Sequence, residues 1–265
     1  MSMRFTIGGK PAATANLPPS LVRRGEAAVR TGDHAGHDYP RWCAEFWVYP
    51  EQWMKTGGVW APMQLFACQN AELRAYNDAG TLRFSPRFHM WDPSMADHLY
   101  TLNPLTLTMN AWNFIRILQD LKQGWIAAWL GATLVHSATN FGTGDSGYVA
   151  PQRYAISLLG TDTEIAIDTA PTAAGSVVLD NFRFSTWRDG DTLPYSLANM
   201  APPTGHFTDL GTPALFVWQM RETQMPVLIN PQFGTYSGIP RLDAFANRYA
   251  GPWGLVANAI ANPVP

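Results

Sequence analysis

From Trp42 to Trp187 the chain is a succession of short segments dense in aromatic and β-branched residues, each stopped by Gly, Asn, Asp or Pro, with no long helical pattern between them. Segments this short bury a face only by pairing with one another, and their closely spaced turns favour antiparallel strands. Cys43-Ala44-Glu45-Phe46-Trp47-Val48-Tyr49 stops at Pro50. Glu72 to Tyr76 and Thr81 to Ser85 flank Asn77-Asp78-Ala79-Gly80, a polar connection that reads as a hairpin. Asn113 to Gln119 places Ile115 and Ile117 on one face and Arg116 on the other. Trp125 to Trp129 and Thr133 to Val135 form a second hairpin bent at Gly131. Further extended segments are expected at Leu65 to Cys68, Leu105 to Met109, Tyr154 to Leu159, Glu164 to Asp168 and Val177 to Phe184, with a long loop from Pro86 to Pro104. The reading is an all-β, antiparallel sandwich over residues 42–187, preceded by an N-terminal arm and first strand region over 1–41.

The character changes after Trp187. Ten of the 21 prolines (194, 202, 203, 213, 226, 231, 240, 252, 263 and 265) fall in the C-terminal extension 188–265. Proline at this frequency interrupts a central sheet and favours extended chain. The segment is nonetheless apolar, with Phe207, Phe216, Trp218, Phe233, Tyr236, Phe245 and Trp253, which is the wrong composition for disorder. An apolar extended segment must lie on something, either its own sandwich or a neighbour. Phe216, Trp218, Phe233, Tyr236 and Trp253 are the candidate assembly-interface residues. On the neighbour reading, a chain cut after Trp187 folds but fails to assemble.

Composition supports burial against other chains. Charged residues make up 14% of the chain, against about 25% in ordinary soluble domains, and Lys10, Lys55 and Lys122 are its only lysines. A net charge of -2 without any Lys/Arg cluster gives no field for a phosphate backbone, so nucleic acid is excluded as a partner. No stretch approaches the roughly 20 apolar residues of a membrane span, and the first residues do not read as a secretory signal. Cys43 and Cys68 form neither a disulfide framework nor a metal set by themselves; both fall in expected strands, so a bridge between neighbouring strands is open to them, and free buried thiols are the preferred reading.

Three patterns in 42–187 carry a resemblance. Ala44-Glu45-Phe46-Trp47-Val48-Tyr49-Pro50 resembles an early strand written E-x-W, a hydrophobic residue, an aromatic or basic residue, then Pro. Trp112-Asn113-Phe114-Ile115-Arg116-Ile117 with Trp125 to Val135 resembles a strand pair opened by Trp and closed by a Gly hairpin. Leu179-Asp180-Asn181-Phe182-Arg183-Phe184 resembles a closing strand. Together they resemble the laminin-G-like jelly roll of the concanavalin A-like lectin/glucanase superfamily. The superfamily holds lectins, glucanases, adhesive modules and many viral particle proteins, so the fold does not choose between them.

Each chemistry found in that superfamily makes a demand on the sequence. A glucanase carries Glu-x-Asp-x-Glu on one strand; Glu164-Ile165-Ala166-Ile167-Asp168 keeps the ends, but Ala166 removes the central carboxylate, and the chain is read as non-catalytic. Laminin-G relatives bind calcium through loop oxygens, which makes Asp78, Asp145 and Asp162 the candidate ligands and calcium the candidate cofactor. Asp33-His34-Ala35-Gly36-His37-Asp38 lacks the further ligands zinc requires and is read as a polar turn. Sugar binding uses exposed rings, for which Trp53, Trp60 and Trp91 in expected loops are the candidates. The expectation is a structural or interaction subunit of a larger assembly, a homo-oligomer or a tailed-phage virion in particular, made in the host cytoplasm. The alternative is a carbohydrate-binding adhesion module, with a glycan as partner and calcium assisting.

Overall fold

A computed structural model describes residues 41–52, 65, 66, 70–76, 78–92, 94, 96–139, 141, 177–185, 187, 191–205 and 207 with their side chains, and the backbone of the further strand residues named below. Two antiparallel sheets face each other in a jelly-roll sandwich, and no helix occurs among the described residues. The strands are β1 (Ser2–Ile7), β2 (Val29–Arg30), β3 (Arg41–Gln52), β4 (Lys55–Thr56), β5 (Val59–Trp60), β6 (Met63–Cys68), β7 (Ala71–Asp78), β8 (Thr81–Trp91) and β9 (Asp97–Thr101). They continue with β10 (Asn113–Asp120), β11 (Trp125–Leu130), β12 (Thr133–Ala138), β13 (Ser157–Thr161), β14 (Gly175–Thr186), β15 (Ala214–Trp218), β16 (Arg241–Leu242) and β17 (Gly254–Val256). The first sheet runs β12-β11-β10-β3-β14-β1-β17, with β15 also paired to β14; the second runs β16-β2-β13-β6-β7-β8-β9.

Alternation decides what lies between the sheets. Trp42, Ala44, Phe46 and Val48 of β3, Ile115 and Ile117 of β10, and Phe182 and Phe184 of β14 point inward and are buried. They meet Phe66, Leu73, Phe84, Phe88 and Met90 from the second sheet. Trp42 is at the centre of the aromatic packing, stacked on Phe184 at 5.5 Å and Phe88 at 6.1 Å between ring centroids.

The β7–β8 hairpin closes in two residues, Ala79 (φ 45°) and Gly80 (φ 89°), the doubly left-handed turn whose twist matches the strands it joins. The loop expected over 86–104 is a correction: β8 continues through Pro86 to Trp91 and β9 follows. The reason is positional. The Pro86 carbonyl accepts from the Leu102 N–H at 2.9 Å, so the missing N–H faces a residue beyond the end of β9 and costs one terminal ladder bond. Leu105 makes only an isolated bridge to Phe84, not the start of a strand. Cys43 is free, and it faces outward from the first sheet while Cys68 lies on β6 of the second.

Candidate functional site

The two outer faces of the sandwich differ. On the first sheet, alternation turns Cys43, Glu45, Arg116, Leu118, Asp120, Trp129 and Arg183 outward, away from the core. An outward polar set is ordinarily solvated. Here it is buried: Glu45 is 1% exposed, Arg116 4% and Asp120 0%. The cover is the start of the C-terminal extension, residues 191–205 with Phe207, which crosses this face as an irregular strap. Trp187, Tyr195, Leu193, Leu197 and Met200 pack on Cys43, Leu118, Ala127, Trp129 and Leu134.

Polar groups fix the strap in register. Trp129 Nε1 donates to the Ala198 carbonyl at 2.7 Å, and the Met200 N–H donates to Ala132 O at 2.9 Å. Asn199 Oδ1 accepts from the Leu134 N–H at 3.0 Å, and Arg41 donates to the Asp191 carbonyl at 3.1 Å. Beneath the strap Glu45 gathers four donors. Its Oε1 accepts from Arg116 Nε at 2.8 Å; its Oε2 accepts from Arg183 Nε at 3.0 Å, Arg183 Nη2 at 2.6 Å and the Tyr195 hydroxyl at 2.9 Å. Burial is the largest influence on this carboxyl and opposes its charge, yet the Arg183 and Arg116 guanidiniums together outweigh it and hold the group below its ordinary value. Burial also pushes the neighbouring Cys43 thiol and Tyr195 phenol well up, and the Glu45 charge adds to both. At the far end of the strap Arg183 lies over the Phe207 ring, 4.0 Å from its centroid, and Asn181 Oδ1 accepts from the Phe207 N–H at 2.8 Å.

The outer face of the second sheet carries no such cover among the described residues. Glu72, Arg74 and Tyr76 of β7 and Arg83, Arg87, His89 and Trp91 of β8 alternate with the core residues and are all half-buried. Register sets Tyr76 beside Arg83, Glu72 beside Arg87, and Trp91 beside Asp97. Arg87 pairs with Glu72 at 2.7 Å, and Arg83 with Asp78 at 3.2 Å and with the Thr106 hydroxyl. His89 Nδ1 stands 3.9 Å from Asp97, beyond hydrogen-bond reach. Asp92, just past β8, accepts from the Ser94 hydroxyl and from His98, which hold its carboxyl well below the usual range and stiffen the β8–β9 turn. The face therefore carries guanidiniums, a carboxylate, an imidazole and two aromatic rings.

Of the sequence candidates, Trp91 falls on this face. Trp60 ends β5, and Trp53 lies outside the described residues. Asp78 is exposed at the end of β7 and paired with Arg83; Asp145 and Asp162 lie outside the described residues, as does the stretch from Glu164 to Asp168. No cluster of three or more His, Cys, Asp or Glu side chains suited to a metal occurs among the described residues. Phe216 and Trp218 sit on β15, opposite Phe184 and Phe182 of the chain's own sheet, whereas Phe233, Tyr236 and Trp253 lie outside the described residues. In the sequence Glu45 and Arg183 stand out only as motif positions, and Arg116 also as the residue on the face opposite Ile115 and Ile117.

No protein-family profile and no curated protein matches the chain. Among solved structures it is similar to a heptameric SAP-like pentraxin from Limulus polyphemus, at 10% identity over 92% of this chain and 97% of that one, with a TM-score of 0.46. It is also similar to the PL7 alginate lyase AlyA1 from Zobellia galactanivorans, at 9% identity over 70% and 78%, with a TM-score of 0.43. A third is the binding domain of botulinum neurotoxin DC, at 11% identity over 55% and 32%, with a TM-score of 0.34. No helix among the described residues is long and apolar enough to cross a membrane. The strand order itself makes the chain an antiparallel jelly-roll β-sandwich.

Proposed function

We propose that this chain is a non-catalytic binding module that meets its ligand on the open outer face of the second sheet, and that the ligand is a carbohydrate. One observation carries the reading: the strap closes one outer face and leaves the other with Arg74, Arg83, Arg87, Glu72, His89, Tyr76 and Trp91 half-exposed together. Paired guanidinium and carboxylate groups present donors and acceptors to hydroxyls, and Tyr76 and Trp91 offer ring surface for a pyranose face. The test is a glycan screen with and without a chelator, repeated with Trp91→Ala and Arg87→Ala. Binding that both variants weaken at least tenfold supports the assignment; no binder in either condition removes it. Loss of binding in chelator alone would bring in calcium.

A second reading, a structural subunit of a tailed-phage particle, is favoured by the charged-residue content of 14% and by the long apolar, Pro-rich stretch past Phe207. Its mechanism is burial of aromatic anchors on neighbouring subunits, with the virion as the place of residence. A chain ending at Phe207 that assembles as the full chain does would sink that reading.

A further inference from the structure

The two large sheets have five edge strands, β12, β15 and β17 on the first and β16 and β9 on the second. On the first sheet, β12 has its Leu134 N–H taken by Asn199 of the strap, and β17 is three residues long. On the second, β16 is two residues long and β9 is five. β15 is also five residues long, but its side chains lie outside the described residues; among the described residues nothing pairs with the outer side of β9. Its sequence, Asp97-His98-Leu99-Tyr100-Thr101, contains none of the lysine, proline or bulge that ordinarily keeps an edge from pairing.

The direction of its backbone groups follows from two hydrogen bonds that bracket the strand. Asp92 N–H donates to Ala96 O at 3.0 Å and Leu102 N–H to Pro86 O at 2.9 Å. In an antiparallel ladder the groups alternate, so His98 and Tyr100 face β8, while the N–H and C=O of Asp97, Leu99 and Thr101 point away from the sheet. Asn103, next in that outward series, already donates its N–H to His136 Nδ1 at 2.9 Å. The side chains of Asp97, Leu99 and Thr101 are all exposed, and Leu99, at 45%, is the one large apolar side chain exposed among the described residues.

We infer that this edge is a homodimer interface, in which β9 pairs antiparallel with β9 of a second copy about a twofold axis at Leu99. The occupant is chosen by self-complementarity. Centred on Leu99, the pairing sets Leu99 against Leu99, Asp97 against Thr101 and His98 against Tyr100, so no carboxylate opposes another. The outward groups of three residues on each strand then form about six backbone hydrogen bonds, all at positions that make none within the β8–β9 ladder. The two seven-stranded sheets become one continuous sheet with the open polar faces on the same side. This interface stands independently of what those faces bind.

The experiment is light scattering on the full chain, with circular dichroism as the control for folding. At roughly 100 μM, which populates any dimer of micromolar affinity, the mass should be twice the 29.3 kDa of one chain. Leu99→Pro removes an outward N–H that its own sheet does not use, so it should leave the spectrum unchanged and return the mass to that of one chain. Leu99→Lys should do the same through charge at the axis. A wild-type protein that stays at the mass of one chain, or a dimer that a folded Leu99→Pro variant leaves intact, overturns the inference.

Discussion

Arg183 reaches Glu45 because Asn181 interrupts the strand between them. Along β14, Asp180 is opposite Trp47 and Arg183 is opposite Glu45, so three steps on one strand match two on the other. The extra residue is a bulge, with Asn181 at φ 49°. It leaves Leu179 and Phe182 both inward and turns Arg183 out, onto the carboxylate two strand positions from Trp47. Without the bulge Arg183 would point into the core.

Removing the carboxylate charge should therefore be costly. Glu45→Gln leaves two buried guanidiniums without their counter-ion, and the expected loss is about 3–5 kcal/mol of unfolding free energy. Urea titration of the variant beside the wild type measures it.

The same group sets an acid limit. The folded Glu45 carboxyl titrates below its ordinary value, so its contribution to stability is complete above the unfolded value of about 4.3. It is lost as pH falls through the lower folded value. The wild type should lose stability more steeply below pH 4.5 than Glu45→Gln does, as followed by melting temperature against pH.

Tyr195 holds the strap to that carboxylate from above. Tyr195→Phe keeps the ring on Trp187 and deletes the hydroxyl, with an expected loss of about 2 kcal/mol for a hydrogen bond to a charged group. The larger deletion is a chain cut after Trp187, which strips the cover from Glu45, Arg116 and Trp129. It should fail to fold, as read by circular dichroism, whereas the neighbour reading of the sequence expects a folded chain that does not assemble.

Cys43 reports on the same closure. Its thiol is buried under the strap, and burial followed by the Glu45 charge keeps it protonated. In a Cys68→Ser background it should resist a thiol reagent in the native state and react at the rate of strap opening in Tyr195→Ala.

The β7–β8 turn carries an avoidable strain. Ala79 adopts the left-handed region that Asn tolerates better, so Ala79→Asn should raise stability by about 1 kcal/mol, measurable in the same urea titrations.

The strands of 42–187 and the core they face are largely legible in the sequence, save β9 and the part of β8 past Pro86, which read as loop. Ile115 and Ile117 face in and Arg116 faces out, as alternation requires, and Ala79-Gly80 closes the hairpin because that pairing of short turn and flanking strands has few solutions. Alternation is local, so one strand suffices to read it. The fate of the outward face is set by long-range contacts. Glu45, Arg116 and Arg183 are far apart in the chain and individually look like solvated surface. They become a buried network because the bulge at Asn181 resets the phase of β14 and because residues 191–205 and Phe207 settle over them. Neither event has a period to read: a bulge is a single residue, and a proline-rich strap binds through carbonyls and scattered rings rather than a repeating face. Local patterns specify which way a side chain points, while burial depends on what else arrives there.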